Sequence, residues 1–304
     1  MLKKIEIVII SSVQAVRPDV FLFIHRDSFR EDFMNVESKV IVVTGAGSGI
    51  GRALVGVLLE KGARVAAVDL SAPTLQETRE LAGSRKERVS THVLNITDRT
   101  TVEALPQAVI DAHGVVDGLI NNAGIIQQFV RFNDLDYTDI ERMINVNFYG
   151  TINMTKAFLP YLLKRPEAHV VNVASMGSFL PVPGQTLYGA SKAATKLFTE
   201  GLYTELLDTN VHVTVVFPGA IATNISTNSG VSFEAPAPEN AKPQKQMKTT
   251  PARDAAGIIV AAMEQNKYRV LVGSDAKMMD FMARLAPKRA AHLIYSRMGS
   301  LLKR

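Results

Sequence analysis

From Lys39 onwards, short apolar segments alternate regularly with segments of helical spacing. The apolar segments, such as KVIVVT, lie at residues 39–44, 64–69, 88–94, 116–121, 169–175, 211–217 and 268–273. The helical segments lie between them, near residues 50–62, 73–83, 98–113, 136–164, 187–208 and 252–265. Near-continuous apolar strands separated by helices indicate a parallel sheet that is covered on both faces. The pattern therefore predicts one Rossmann-like, doubly wound α/β domain with a seven-stranded parallel sheet and helices on both faces.

The α/β pattern accounts for residues 37–273, and three further segments need separate interpretation. Residues 1–36 are predicted to be an N-terminal extension outside the fold, and Met34 resembles a natural start of the domain. Residues 224–250 are long, polar and proline-bearing, which is typical of a lid or a disordered excursion; their position after a strand end favours a lid. Residues 274–304 form a basic amphipathic tail, for which packing within an oligomer is favoured over a membrane-surface or partner helix.

Composition excludes several classes of function. The chain has no cysteine, which excludes disulfides and thiolate chemistry, and its six histidines lack the spacing of metal ligands, so no metal site is predicted. The net charge is +5, but the excess collects in the tail and forms no basic groove with interleaved aromatics, so nucleic acid is not expected as a partner. No apolar run approaches ~18 residues, so no transmembrane segment is expected.

A glycine-rich turn follows the first predicted strand directly. The string TGAGSGIG at 44–51 places Gly45, Gly49 and Gly51 between that strand and a helix. Glycines permit a tight turn there, and the helix N-terminus attracts a pyrophosphate. Asp69 ends the next strand, where a carboxylate accepts hydrogen bonds from ribose hydroxyls and repels a 2′-phosphate. Because the neighbouring residues add no cation, the sequence favours NAD(H) over NADP(H).

Tyr188 and Lys192 are four residues apart in a predicted helix and therefore share one face. An ammonium beside a phenol lowers the cost of ionising the phenol, whose free pKa is about 10. Such a tyrosine exchanges a proton with an alcohol or carbonyl oxygen near neutral pH. Ser175 lies thirteen residues before Tyr188, and a serine hydroxyl stabilises a developing alkoxide without carrying charge.

Six blocks together resemble the short-chain dehydrogenase/reductase family, in its TGxxxGxG and YxxxK branch, over roughly residues 37–273. They are TGAGSGIG (44–51), Asp69, NNAG (121–124), NVN (145–147), Ser175 with YGASK (188–192), and PGAIAT (218–223). The resemblance implies an oxidoreductase with a nucleotide-binding Rossmann fold. It also implies a homodimer or homotetramer, assembled through the helices at 136–164 and 187–208. A cytoplasmic location is expected, because such an enzyme depends on a cellular cofactor pool.

The resemblance also implies roles for individual residues. The implied catalytic set is Asn147, Ser175, Tyr188 and Lys192. The implied cofactor-binding set is Gly45, Ser48, Gly49, Ile50, Gly51, Asp69, Leu70, Asn95, Ile96, Asn122, Ala123, Gly124, Tyr188, Lys192, Pro218, Gly219, Ile221 and Thr223. Lys192 is implied to hold the nicotinamide ribose and to lower the pKa of Tyr188. Asn145 competes with Asn147 for one role, and the register of the helix decides between them.

The candidate substrate walls are mainly apolar. They are Ile125, Ile126, Phe129, Met176, Phe179, Leu180, Val182 and Leu187, with Gln127, Gln128 and Gln185 as polar exceptions. These walls predict a lipophilic secondary alcohol or ketone as substrate, and the basic tail allows a weak peripheral membrane contact. Two alternatives stay open. One is an NADPH-dependent reductase of carrier-tethered 3-oxoacyl groups, which Asp69 disfavours. The other is a non-catalytic NAD-binding regulatory protein, which the complete catalytic set disfavours.

Overall fold

The computed structural model of the chain describes residues 34–231 and 249–302. Its main sheet contains β1 (Val40–Thr44), β2 (Arg64–Asp69), β3 (Val89–Val93), β4 (Gly118–Asn121), β5 (Ala168–Val173), β6 (Val211–Pro218) and β9 (Arg269–Val272). The order is β3-β2-β1-β4-β5-β6-β9, and every neighbouring pair is parallel. The short strands β7 (Ile221–Ala222) and β8 (Thr250–Pro251) pair separately. The predicted seven-stranded parallel sheet is confirmed.

Helices cover both faces of the sheet. One face carries α1 (Gly49–Glu60), α2 (Ala72–Leu81) and α8 (Ala252–Glu264); the other carries α3 (Arg99–His113), α5 (Gly150–Leu162) and α6 (Thr186–Glu205). Alternate residues of β1 serve the two layers, because successive side chains of a strand point to opposite faces. Ile41 and Val43 pack with the first layer, whereas Val40 and Val42 pack with the second. Strands buried on both faces explain the near-continuous apolar runs.

The strand order reverses between β1 and β4. From β1 the chain proceeds outward to β2 and β3, then crosses to β4 and continues to β5 and β6 in the opposite direction. The loops that leave the carboxyl ends of β1 and β4 therefore diverge and open a crevice at this edge. This edge is where the sequence motifs meet.

The long helix predicted at 136–164 is interrupted in the structure. It consists of α4 (Tyr137–Ile144), a π-helical turn (Asn145–Tyr149) and α5. The turn directs Asn147 into the interior, where it is fully buried. The hydroxyls of Thr151 and Thr195 each donate to the Asn147 carbonyl oxygen at 3.1 Å, which satisfies a group displaced from the regular helical ladder.

The structure shifts the predicted N-terminal boundary. Met34 and Val36, placed by the sequence analysis in the 1–36 extension, are fully buried in the core beside α1 and α8. The backbone amide of Met34 donates to the carbonyl oxygen of Glu264 at 2.9 Å. Residues 34–36 thus belong to the domain, because their apolar side chains close its core. The rest of the predicted extension, and residues 232–248 of the predicted lid, lie outside the described residues; residues 225–228 form α7 (Ile225–Asn228).

The predicted tail, residues 274–304, packs against its own domain up to the last described residue. It forms α9 (Ser274–Leu285), α10 (Pro287–Met298) and a short turn (Gly299–Leu301). Met279, Ala290 and Ile294 bury their side chains against Leu180, which follows β5. The helical spacing of apolar residues was therefore a correct sign of packing, but the partner is the loop after β5. Within the described residues, no helix is long and apolar enough to span a membrane.

Candidate active site

A cavity of about 770 Å³ occupies the crevice at the carboxyl ends of the strands. Every predicted cofactor-binding residue except Gly51 lines it, as do Ser175 and the isoleucines at 125, 126 and 225. Residues more than a hundred positions apart in the chain thus share one wall, because parallel strands deliver their carboxyl ends to the same edge of the sheet.

The glycine turn allows a close backbone approach at one end of the cavity. Gly45 and Gly49 have positive φ angles of 66° and 51°, which residues with a side chain rarely adopt. A Cβ on Gly47 would collide with Thr74. A Cβ on Gly51 would overlap the carbonyl group of Gly45, so this glycine lets α1 pack against the turn. The structure therefore corrects the position predicted for Gly51, which lies behind the cavity wall.

The N-terminus of α1 faces the cavity without a cap from its own chain neighbourhood. Ser48 is the N-cap residue, but its side chain makes no capping hydrogen bond to the helix. Its hydroxyl instead accepts from the side-chain NH₂ group of Asn228 at 2.7 Å. The first turn of α1 has no acidic residue. Free helix amides and the helix dipole favour an anion at this position.

Asp69 is held rigidly at the end of β2. One carboxylate oxygen accepts from the Gly47 amide at 2.9 Å, and the other accepts from the Ser71 amide at 3.1 Å. Each oxygen keeps a further lone pair, because a carboxylate has about four acceptor sites. Asp69, Arg142 and Lys192 are the charged side chains that line the cavity in the described part of the chain. Sequence reasoning missed Arg142, which lies on α4 just before the NVN motif.

Asn95 and Ile96 contribute to the wall in different ways. The Asn95 side-chain oxygen accepts from the amide and the hydroxyl of Thr97, which shapes the turn after β3. Ile96 is buried, and a Cβ on Gly150 would meet its side chain at 2.5 Å. The wall here is thus a polar rim next to an apolar surface.

The loop after β4 is fixed by Thr44 at the end of β1. The Thr44 hydroxyl accepts from the amides of Asn122 and Ala123, both at 3.0 Å, and the Asn122 side chain donates to the Thr44 carbonyl oxygen at 2.9 Å. Gly124 follows, and a Cβ there would lie 3.1 Å from the Lys192 ammonium and 3.2 Å from the Asn147 side-chain oxygen. The absence of a side chain at 124 therefore lets these two groups approach the cavity.

The segment after β6 is held by a residue that the sequence analysis did not identify. The Asp275 carboxylate accepts from the Ala220 amide at 2.7 Å, and a Cβ on Gly219 would collide with it. Pairing of Ile221 with Thr250 fixes the next residues. Asp275 lies 55 residues from Ala220, so no local signal marked it.

Ser175, Tyr188 and Lys192 converge at the other end of the cavity. The Ser175 hydroxyl lies close enough to the Tyr188 phenol to lower the pKa of that phenol, and the Ser175 oxygen accepts from the Gly177 amide at 3.0 Å. Lys192, one helical turn after Tyr188, donates from its ammonium to the Val173 carbonyl oxygen at 2.9 Å. The end of β5 and the first turns of α6 thus hold all three groups.

Burial sets the protonation of this cluster. It raises the pKa of the Tyr188 phenol, and the hydrogen bond from Ser175 acts in the opposite direction. Burial also lowers the pKa of Lys192 to about 8. The net effect is a raised Tyr188 pKa, because removal of the phenolate from water outweighs the contact with Ser175; the lowering effect expected of Lys192 stays a prediction.

The structure distinguishes Asn147 from Asn145. The Asn147 side-chain oxygen accepts from the Ile125 amide at 2.8 Å, and its NH₂ group donates to the Ile125 carbonyl and to Ser191, both at 3.0 Å. Asn145 is exposed and lines the cavity, whereas Asn147 lies behind the wall. The register of the π-helical turn therefore places Asn147 beside Gly124 and behind the cluster.

Most of the predicted substrate walls do not line this cavity. Ile125 and Ile126 line it, whereas Leu180 is buried against α9 and α10. Gln127 and Gln185 are only 4% exposed and are bonded to protein groups. These two glutamines, which were predicted to line the substrate site, therefore have a structural role.

The parallel sheet, the glycine turn at a helix N-terminus and the Ser–Tyr–Lys cluster together define a nucleotide-binding α/β protein with a site for proton transfer. A family model described as short chain dehydrogenase matches residues 39–231. A Mycobacterium tuberculosis protein with the provisional name oxidoreductase SadH is 38% identical over 252 residues, which cover 82% of this chain and 91% of that protein. The chain belongs to the short-chain dehydrogenase/reductase family of oxidoreductases.

Two solved structures have the same fold. A short-chain dehydrogenase/reductase from Burkholderia phymatum, in complex with NAD, has a TM-score of 0.74 and 25% identity, and the match covers 84% of this chain and 95% of that one. A short-chain dehydrogenase from Burkholderia cenocepacia, in complex with NADP, has a TM-score of 0.70 and 28% identity, with coverage of 87% and 99%. These relatives support a nicotinamide cofactor in either form.

Proposed function

We propose that this protein is an NAD(H)-dependent oxidoreductase that interconverts a lipophilic secondary alcohol and its ketone. The observation that carries the proposal is the convergence of Ser175, Tyr188 and Lys192 on one cavity, with Asp69 lining the same cavity. The proton-transfer groups and a ribose-binding carboxylate thus open into a single space.

Each side chain of the cluster has a separate part in the reaction. Tyr188 accepts the hydroxyl proton when an alcohol is oxidised and returns it to the oxygen when a ketone is reduced. Ser175 donates a hydrogen bond to the same oxygen as its negative charge develops. Lys192 holds positive charge near the phenol. We assign Asn147 a supporting role, because it fixes the backbone of Ile125 and contacts Ser191 within the Tyr188–Lys192 turn.

The residues of the opposite end fit a dinucleotide. The glycines at 45, 47 and 49 have no side chain that would keep a ligand away from the backbone. The amides at the start of α1, which no side chain caps, can bind a pyrophosphate. When bound, the nicotinamide ring supplies or accepts the hydride. The carboxylate of Asp69 favours NAD(H), because a 2′-phosphate would place negative charge beside it. Dependence on the cellular NAD pool supports a cytoplasmic location.

An apolar substrate is supported by the side chains near the cluster. Ile125, Ile126 and Ile225 line the cavity, and Ala174 adjoins Ser175. We propose a steroid-like, long-chain or aromatic alcohol. Turnover confined to sugars or short hydroxy acids would contradict this choice.

We also propose assembly as a homodimer or homotetramer through α4, α5 and α6. Large apolar side chains are exposed there: Tyr137 (82%), Tyr149 (44%), Leu163 (44%) and Leu197 (68%). Large exposed apolar side chains on these helices are available for burial against a second copy of the chain. On α9, Met278, Phe281 and Leu285 are exposed beside Lys277 and Arg284, which supports the weak membrane contact proposed for the tail.

The decisive experiment is a spectrophotometric screen of NAD⁺ and NADP⁺ against a panel of lipophilic alcohols. Tyr188→Phe should abolish turnover and leave NAD binding intact, because the substitution keeps the packed ring and removes only the hydroxyl group that exchanges the proton. A regulatory NAD-binding protein would keep its function in this variant. A reductase of carrier-tethered acyl groups would prefer NADPH, and such a preference would refute the assignment based on Asp69.

A further inference from the structure

Helix α6, which carries Tyr188 and Lys192, lacks a cap from its own N-cap residue. Its first residue is Thr186, and the preceding Gln185 makes no side-chain hydrogen bond to the first turn. The amides of the first turn have no partner within the helix. In a partly buried helix start, such amides cost free energy unless an acceptor comes from elsewhere.

That acceptor is a glutamine about sixty residues earlier in the chain. The side-chain oxygen of Gln127 accepts from the amide of Leu187 at 2.9 Å and from the amide of Tyr188 at 3.0 Å. These are the second and third residues of the helix, whose amides an N-cap side chain normally satisfies. One of the two capped amides belongs to Tyr188 itself.

Gln127 is itself held on the remaining sides. Its NH₂ group donates to the Gly184 carbonyl oxygen at 2.9 Å, and its backbone carbonyl accepts from the Gln185 side chain at 2.7 Å. Both glutamine residues are only 4% exposed. Because the Gln127 amide uses its oxygen twice and its nitrogen once in a buried setting, its orientation is fixed.

The neighbours of Gln127 connect the same loop to the rest of the site. Ile125 is bonded through its amide and carbonyl to the Asn147 side chain. The Ile126 amide donates to the Ser229 hydroxyl at 3.0 Å, and the Gln128 side chain donates to the Gly230 carbonyl oxygen at 2.8 Å. Four consecutive residues thus join the π-helical turn, the start of α6 and the segment after α7.

We propose that Gln127 is the positioning residue of Tyr188: its side chain supplies the missing N-cap of α6 and thereby sets the phenol beside Ser175. The proposal rests on the proposed function, in which Tyr188 transfers the proton. Gln127 touches neither substrate nor cofactor in this role and acts only through the helix start.

Loss of the cap should affect Tyr188 more than Lys192. Tyr188 is the third residue of the helix, so fraying of the first turn moves it directly. Lys192 lies one turn later and keeps its own bond to Val173. Displacement of the phenol would change both contributions to its pKa, the raising by burial and the lowering by Ser175, so the pKa of Tyr188 should shift from its wild-type value.

The test compares Gln127→Met with the wild type by two direct measurements. The chain has no tryptophan, so alkaline titration of the tyrosinate absorbance, with Tyr188→Phe subtracted, reports the Tyr188 phenol. Hydrogen exchange of the peptide that contains Leu187 and Tyr188 reports the cap. We expect a shifted Tyr188 pKa and at least tenfold faster exchange. With an alcohol that the wild type oxidises, we expect a kcat about 10- to 100-fold lower at unchanged NAD affinity.

Two variants separate capping from general loosening of the loop. Gln127→Glu keeps an accepting oxygen at the helix N-terminus, where negative charge is favourable, but loses the donor to the Gly184 carbonyl oxygen, so its exchange should be slower than that of Gln127→Met. Gln128→Met removes a neighbouring loop bond but no contact with α6, and should leave the exchange and the Tyr188 pKa at wild-type values. If Gln127→Met does not fold, Gln127→Asn withdraws the oxygen by one methylene group while it keeps the amide, and the same shifts are expected.

Unchanged exchange and an unchanged Tyr188 pKa in the folded Met or Asn variant would overturn the proposal. Equal effects of Gln128→Met would also overturn it, because the effect would then belong to the loop as a whole. Failure of the proposed function gives a different result: Tyr188→Phe would remain active, whatever the exchange of the first turn of α6 shows.

Discussion

Lys192 carries a charge in a place that disfavours it, and the cost should appear as a pH-dependent difference in stability. Its side chain is only 4% exposed, and its pKa falls from 10.5 to about 8 in the folded protein. Between these values the unfolded chain binds more protons than the folded protein, so stability rises with pH. The penalty is therefore complete below pH 8 and is relieved as the pH approaches 10.5.

The substitution Lys192→Met removes this penalty and keeps an unbranched side chain that is one atom shorter. At pH 7 the charged ammonium costs about 3 kcal/mol of folding free energy, since each tenfold change in proton affinity corresponds to about 1.4 kcal/mol. The variant also loses the donor to the buried Val173 carbonyl oxygen, which lowers its stability by about 1–2 kcal/mol. We expect the variant to be more stable than the wild type by about 1–2 kcal/mol at pH 7 and to have lost its catalytic activity.

The assay is urea unfolding of the cofactor-free protein, followed by circular dichroism between pH 7 and pH 10. Over this range the wild type should gain about 2.5 kcal/mol of stability relative to the variant, so the advantage of the variant at pH 7 should disappear and reverse by pH 10. Lys196→Met, on the same helix but paired with Glu200 at the partly exposed surface, is the control and should show no comparable trend. A difference for Lys192→Met that stays constant with pH would refute the reasoning.

Four further predictions follow from the described contacts. Asp69→Ser should raise the kcat/KM ratio of NADP⁺ to NAD⁺ about 100-fold by removing like-charge repulsion, and steady-state kinetics with both cofactors would show an unchanged ratio if the carboxylate does not face the ribose. Because burial raises the pKa of Tyr188, alcohol oxidation should accelerate with pH beyond neutrality while ketone reduction does not; a flat oxidation profile would contradict this. Gly51→Ala should lower the free energy of unfolding by about 1–3 kcal/mol, measured by thermal melts, because the methyl group meets the Gly45 carbonyl. Gly56→Ala, on the open side of α1, is the control and should be neutral or stabilising. His169 is fully buried, and burial lowers its pKa to about 3. The wild type should therefore lose about 2 kcal/mol of unfolding free energy between pH 8 and pH 5, and His169→Gln should not show this loss. Equal losses in urea titrations of the two proteins would exclude this cause.

The fold was largely predictable because its signals are local. The seven strand predictions at 39–44 through 268–273 each fall within two residues of an observed strand, since burial on both faces demands continuous apolar runs. The glycine turn was predictable for the same reason: tight geometry and helix packing select residue types within one short string. Gly51 was correctly inferred to need a position without a side chain, but the structure places it against the Gly45 carbonyl and not at the cavity.

Other features depend on contacts between distant parts of the chain. The sequence favoured Asn147 with Asn145 as a competitor, and only the π-helical turn decides which side chain reaches Ile125. The tail had helical spacing, but its burial against Leu180 depends on where the loop after β5 lies.

By itself, the sequence determined an α/β sheet, a dinucleotide-type turn and a phenol one helical turn from an ammonium, because these follow from periodicity and short spacing. Only the tertiary structure decided that burial raises the pKa of Tyr188, because desolvation is a property of everything packed around a group. It also decided that Gln127 caps the helix of Tyr188. A hydrogen bond across sixty residues leaves no periodic trace, and the two groups meet only once the sheet has brought their loops to the same edge.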